Sequence, residues 1–329
     1  DVPMLQNELA RLKHKDIRQR RIAVRRLFEI DDSAALSAFM DFLDEDDDWF
    51  QDKAVAAMRR WVNSSHRKVV VSLSIRKEIR LRILASELLT RLGSEGLTIL
   101  STLCEDEESS VYREAWRARL HIDPGSIPVA IRHEDYIVRK MAIRNSGDIQ
   151  FLVNMLDDTN SHVRETALNQ LNELGANIDS FGEHIFGPHS LEIARMCLPN
   201  LIDSGESGKI SELCKDPEPK MRKILCDSLG SVNWMQWDDV VDAAMNSNDP
   251  YLLPRLLRSR REKSADDLRI ALLNQGRPES KVRVLEHLHG RAVSESIREL
   301  LPTLIEDSNK LISQVATSLL KDYEDLGAN

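Results

Sequence analysis

The 329-residue chain is 42% hydrophobic and 30% charged, a balance that excludes intrinsic disorder over its whole length. Aromatics at 5% and only 13 glycines argue against a barrel, sandwich or propeller, and no apolar run approaches the roughly 20 residues of a membrane helix. Basic residues number 45 and acidic residues 54, so a net charge of −9 excludes a global polycation built for nucleic acid.

In chain order, residues 1–13 are amphipathic without a signal-peptide core, and a start at Asp1 reads as a trimmed product. Next, Arg20, Ala23-Val24, Leu27 and Ile30 mark one stripe of a helix. A shorter apolar helix over Ala35–Leu43 follows, then the acidic turn Asp44–Asp48, then a second stripe through Phe50, Ala54-Val55, Met58 and Trp61. Val69–Leu73 is the one β-rich run, and its place in the series makes it a helix. The same order returns as Leu81-Arg82, Ala85, Leu89 and Leu92-Gly93, then Leu97–Cys104 before Glu105–Glu108, then a poorer copy from Val111. Val138-Arg139 with Ala142 leads to Phe151–Leu156, Asp157-Asp158 and the fullest copy: Val163-Arg164, Ala167-Leu168, Leu171, Leu174-Gly175. Ile193 with Cys197 and Leu201, Met221-Arg222 with Leu225 and Leu229, a poorer copy from Leu252, Val282-Arg283, and Ile312 with Ala316 and Leu320 complete it.

The frame places apolar residues at positions 0, 4, 8 and 11, and a glycine then closes the helix in a left-handed cap. Its origins fall near 19, 50, 81, 111, 138, 163, 193, 221, 252, 282 and 312, at intervals of 25 to 31 residues. Each unit is therefore a short helix A, an acidic turn and a longer helix B. Neither helix can bury its stripe alone, so neighbouring units must stack. The expected fold is all-α, a right-handed α-solenoid of about eleven helical hairpins, with residues 1–329 as a single array. Pro and Gly near 123–128 and 176–190, including the Gly187-Pro188 step between His184 and His189, give the array room to bend.

The acidic turn followed by Val-Arg-x-x-Ala, as in Asp157-Asp158 through Val163-Arg164 to Ala167, resembles the HEAT-like repeat family, in particular its short-repeat branch named after phycobilisome lyases. The resemblance covers the whole chain and implies the solenoid fold. It says little about function, because the family spans scaffolds, lyases and nucleic-acid enzymes. HEAT-like solenoids generally line their concave face with the B helices.

The acidic turns are expected to cap helix B, since carboxylates at a helix start accept from unpaired N–H groups. Arg20, Arg82, Arg139, Arg164, Arg222 and Arg283 recur at one frame place and are expected to bridge to the turn of an adjoining unit. Positions 6 to 10 of helix B lie beyond the core stripe. There the first five units carry Arg25, Arg26, Arg59, Arg60, Arg91, Arg117, Arg119 and Arg144, whereas later units read Asn169, Pro199, Asp227 and Ser318, and only the ninth restores basic charge with Arg258, Arg260 and Arg261. Residues 1–165 hold 26 basic and 28 acidic groups, while 166–329 hold 19 and 26, so the basic flank belongs to the neutral half. These arginines form a candidate basic track for an acidic protein segment, a nucleic acid being the alternative ligand. Equally, they suit exposed helix positions paired to a Glu one turn away.

No catalytic residue, metal site or cofactor is expected. Cys104, Cys197, Cys214 and Cys226 are scattered, with no CxxC, and suit a reduced, cytoplasmic protein. A second resemblance, to HEAT-like alkylpurine DNA glycosylases, would pair an aromatic with a carboxylate, as Trp234 with Asp238 or Trp49 with Asp52. Deoxyhypusine hydroxylases of the same fold repeat a His-Glu dyad, matched here only by His133-Glu134. A bilin lyase is a lesser alternative. The expected function is a non-enzymatic scaffold or adaptor that binds a macromolecule along the B helices.

Overall fold

The computed structural model describes residues 2–186 and 189–327, and among these the secondary structure is helical with no strand. The Gly187-Pro188 step therefore lies outside the described residues. The chain forms two compact units, Asp1–Leu171 and Asn172–Asn329.

In the first unit the A helices are α1 (Val2–Arg11), α3 (Leu36–Met40), α5 (Arg67–Ser74), α7 (Leu97–Leu103), α9 (Ile127–Ala130) and α11 (Ile149–Asn154). They alternate with the B helices α2 (Ile17–Ile30), α4 (Asp48–Trp61), α6 (Ile79–Leu89), α8 (Ser109–Ile122), α10 (Tyr136–Arg144) and α12 (Ser161–Glu173). Each of the first five A helices packs on the B helix that follows it, and α6, α8 and α10 stack side by side. The β-rich run is α5, held helical because Val70 and Leu73, three residues apart, both bury against the hairpin. Asp123 accepts from the N–H of Gly125 and starts a short 3₁₀ turn, Pro124–Ser126, between α8 and α9.

The second unit keeps the alternation. Its B helices are α13 (Ser190–Asp203), α15 (Pro219–Leu229), α17 (Leu252–Leu257), α19 (Pro278–His287) and α21 (Lys310–Gly327), each packed on the next. The A helices between them are α14 (Ser207–Lys215), α16 (Asp238–Met245), α18 (Lys263–Gln275) and α20 (Glu295–Ile305). Within each unit the result is two layers of helices with a continuous apolar seam between them.

The frame explains that seam. Its fourth position holds Ala23, Ala54, Ala85, Ala115, Ala142, Ala167 and Ala316, all fully buried. A methyl group lets two helix backbones approach closely, and the larger neighbours Leu27, Met58, Leu89 and Leu171 at position 8 fill the space beside it. Burying each such side chain contributes on the order of 2 kcal/mol. Gly93, Gly175 and Gly205 adopt positive φ just past the last apolar position, as the frame predicts, and Gly290 does so four residues early. In the first repeat a non-glycine does this work. Asp31, at φ 56° and ψ 46°, donates its N–H to the carbonyl of Leu27. Its carboxylate accepts from the Arg60 Nε and the Trp61 Nε1, both at 2.8 Å, and these bonds hold the strained backbone.

The acidic turns carry two bonds at once. Asp106 accepts the N–H of Glu108 at 2.9 Å and the Arg82 Nε at 2.9 Å from the preceding B helix. Asp158 accepts the N–H of Asn160 and the Arg139 Nε at 3.0 Å, and Asp249 accepts the N–H of Tyr251 and the Arg222 Nη1 at 2.8 Å. Arg20 reaches Glu45 at 3.0 Å in the same way. Arg82 and Arg139 also donate to carbonyls of their own turns, Arg76 and Lys77 in one case, His133 and Glu134 in the other. Arg164 donates to the Asp158 carbonyl, and Arg283 pairs within its own helix with Glu286, so the bridging pattern holds for four of the six arginines.

Asp135 shows the electrostatics of such a turn. Burial raises its affinity for a proton, but the bonds from Arg113, Tyr112 and the N–H of Ile137 outweigh that and hold its pKa below the usual carboxylate value. A carboxylate lowered in the folded state adds stability above its unfolded pKa of about 4, and that stability is lost as pH falls through the lowered value. Asp135→Asn should therefore flatten the acid limb of a stability-against-pH curve followed by circular dichroism. The Arg139–Asp158 pair is nearly enclosed, with side chains 13% and 8% exposed. Arg139→Ala should cost about 2–3 kcal/mol in urea unfolding. A double-mutant cycle with Asp158→Ala should return a coupling energy well above that of an exposed pair.

Candidate functional site

Positions 6 to 10 of the frame fall in the C-terminal halves of the B helices; Arg59, Arg60, Arg119 and Arg144 reach the last turn, where outward carbonyls favour a cation by about 0.3–1 kcal/mol, whereas Arg25, Arg26 and Arg117 lie before it. Arg59 and Arg60 occupy the last turn of α4, and Arg144 ends α10. Arg91 follows α6 in a 3₁₀ segment. Local charge–dipole attraction is thus enough to place arginine there; it does not by itself make a ligand site.

Four of the eight predicted residues are tied to another helix or turn, Arg26 within its own hairpin and the other three across to an adjoining repeat. Arg26 pairs with the buried Glu8 at 3.3 Å, Arg59 with Glu87 at 3.2 Å, and Arg60 with Asp31. Arg91 donates to the Val62 carbonyl at 3.0 Å, satisfying the end of α4. The Arg60 and Trp61 bonds hold the Asp31 carboxyl below its ordinary pKa. Arg25, Arg117 and Arg144 differ. All three are exposed, Arg117 pairs only with Glu114 of its own helix, and Arg25 and Arg144 make no ion pair among the described residues. The flank is therefore a mixed surface: arginines engaged by Glu8, Asp31 and Glu87, with three more free to meet a partner.

Arg119 stands apart from the other seven. Eight residues after Val111, it occupies the frame position that holds Leu27, Met58, Leu89 and Leu171 in other repeats. It is half-buried, turned toward the A layer, with its guanidinium 4.6 Å from the centre of the Trp116 ring. There it lines a solvent-open groove of about 630 Å³ whose floor is Tyr112, Trp116 and Arg119 of α8. The end of α7 with its acidic turn forms one wall, and α9 with Arg132 and His133 forms the other. The His133 ring lies 5.1 Å from that of Tyr112 and 6.1 Å from that of Trp116. Sequence reading missed this groove, although a charged residue at a core position of the frame was the signal.

The remaining candidates resolve simply. Trp234 sits in a 3₁₀ turn (Trp234–Gln236) ahead of α16, wholly buried, whereas Asp238 begins that helix and is exposed. The two do not share a helix face. Trp49 lies between the charges of Arg21 and Lys53, and Asp52 is bound by Arg80. Among the described residues no group of three His, Cys, Asp or Glu side chains could hold a metal ion, and no helix is long and apolar enough to cross a membrane.

All four cysteines are free thiols. Burial pushes Cys104 and Cys197 up to about 11, and Cys214 and Cys226 to about 12. At neutral pH they are protonated and poorly nucleophilic. A disulfide reagent such as DTNB should therefore label the native protein at least about tenfold more slowly than the denatured chain, where all four react. One rapidly labelled thiol in the native protein would contradict this packing.

Comparison with known proteins agrees with the hairpin frame. Residues 149–178, which span α11 and α12, match the HEAT repeat family. No curated protein matches the chain. Two solved structures from the Northeast Structural Genomics Consortium, each titled as the crystal structure of an engineered protein, align over 98% of this chain. They are 15% and 16% identical to it, are covered over 98% and 96% of their own lengths, and give a TM-score of 0.15 in both cases, which carries no argument. The helical hairpins, their shared frame and the matched segment are together consistent with the HEAT-like repeat family.

Proposed function

We propose that the chain is a non-enzymatic binding scaffold whose partner is a protein presenting an acidic segment to the C-terminal halves of the first five B helices. The observation that carries this reading is the division of labour among the arginines. Those at the turns, such as Arg82 and Arg139, are consumed by inter-repeat bonds, while Arg25, Arg117 and Arg144 are exposed without a carboxylate from another repeat. An exposed guanidinium binds a carboxylate bidentately with little desolvation cost. The binding surface lies within the first unit, and each contact on it is shallow, so affinity would come from several repeats acting together.

A protein is favoured over a nucleic acid because Glu8, Asp31 and Glu87 already neutralise Arg26, Arg60 and Arg59 on this flank. That mixture weakens the field a phosphate backbone would meet, but it suits a partner of mixed charge. The four free thiols, three of them buried, support a reducing compartment, the cytoplasm in this proposal.

Purification of partners from native cells, with and without nuclease, tests the reading. The expected result is a protein retained after nuclease and lost from the variant carrying Arg25→Glu, Arg117→Glu and Arg144→Glu. Circular dichroism should show that variant folded, since exposed pairs each contribute only about 0–1 kcal/mol. A nuclease-sensitive partner, with affinity falling steeply against salt, would favour nucleic acid instead. Retention of the protein partner at wild-type affinity would refute the arginine surface.

A further inference from the structure

Arginine appears twice at the eighth frame position, and the two cases differ in a telling way. Arg260 is 9% exposed and held by protein groups: it donates to the carbonyls of Leu229 and Val232 and to the Glu262 carboxylate. Arg119 has no carboxylate partner among the described residues, leaning only on the Cys104 thiol and the Trp116 ring. Arg132, across the groove, is exposed and its side chain makes no ion pair or hydrogen bond either. Trp116 is 3% exposed, yet its indole N–H donates to no acceptor. An unpaired buried donor is rare in folded proteins and calls for a partner. The groove between α1 and α3, about 750 Å³, lies in the equivalent place between two A helices, but its Arg20 is held by Glu45.

We propose that the α7–α9 groove is a second binding site, which takes a carboxylate-bearing segment of a protein partner. One Asp or Glu side chain is held by the guanidinium groups of Arg119 and Arg132, and an adjoining apolar side chain packs on Trp116 and Val129. Val129 is 52% exposed on the wall of the groove, so the site offers apolar area beside its charge. The volume falls within the roughly 300–1,000 Å³ of ordinary ligand sites. Glu105 is exposed on the rim and bonds to no basic group, so a dianionic phosphate meets more repulsion than a single carboxylate does. The same residue interrupts any continuous cationic path that a nucleic-acid backbone would need. Apart from Arg119, none of the helix-end arginines lines this groove, so it stands or falls separately from the surface proposed above.

The test pans a displayed library of random heptapeptides over the full chain and over the Arg119→Gln, Arg132→Gln double variant. The wild type should enrich peptides with Asp or Glu beside an apolar residue, and the double variant should not. The best peptide, synthesised with a fluorescent label, should bind at least tenfold more weakly to Arg119→Gln, which removes the guanidinium and keeps a polar side chain. Arg132→Gln, a change at an exposed residue, should give a similar loss without any effect on folding. Arg25→Glu with Arg59→Glu and Arg60→Glu should change that affinity less than twofold. Enrichment of the same peptides by the double variant would overturn the groove site, as would enrichment of peptides without an acid. A peptide weakened only by the helix-end substitutions would overturn it while leaving the other surface standing. Displacement of the peptide by a phosphopeptide or an oligonucleotide at lower concentration would overturn the assignment of a carboxylate.

Discussion

The stacking of this protein depends on a carboxylate that serves two helices. Asp106, Asp158 and Asp249 each accept the N–H two residues on, shaping the turn that leads into their own B helix, and accept an arginine from the B helix before it. The turn alone would leave neighbouring hairpins free to slide along the apolar seam, because burial is non-directional. The guanidinium removes that freedom. It is planar, it reaches back to its own turn, and it meets the next turn at a defined angle, so it sets the register between repeats while the leucines and alanines supply the attraction.

That division of roles explains why two groups of arginines with similar surroundings in sequence behave differently. At the turns they are structural, drawn into bonds with side-chain exposure as low as 13% for Arg139. At the far ends of the same helices the carbonyl ends favour a cation without dictating its partner. Selection there is looser, and some of those positions remain free for recognition. Arg119 belongs to neither group. At a core position of the frame in α8, its charge faces the groove between α7 and α9 beside Tyr112 and Trp116.

Most of the fold was legible in the sequence because repetition amplifies weak signals. One stripe of apolar residues is ambiguous, but eleven in phase are not, and the same phase turned the β-rich Val69–Leu73 into a helix correctly. The bridging arginines were legible for the same reason, at Arg20, Arg82, Arg139 and Arg222. What periodicity could not show was where a departure from the frame points. Arg119 was grouped with the exposed flank on its residue type, although its frame position turns it inward. Trp234 and Asp238 lie four apart, but the tryptophan belongs to a turn rather than to the helix, so spacing gave no shared face. The division into two compact units also has no counterpart in the intervals between repeats.

The left-handed Asp31 bears on how the chain is made. Its backbone conformation is unfavourable for a residue with a Cβ, and the bonds that offset it come from Arg60 and Trp61, some thirty residues later. A ribosome adds residues at about 5–20 per second, and repeats acquire stability from their neighbours. The first hairpin therefore emerges with its end still undecided for seconds, and its geometry is completed only as the second hairpin arrives. Birth order and folding order are thus coupled through one side chain, the carboxylate of Asp31.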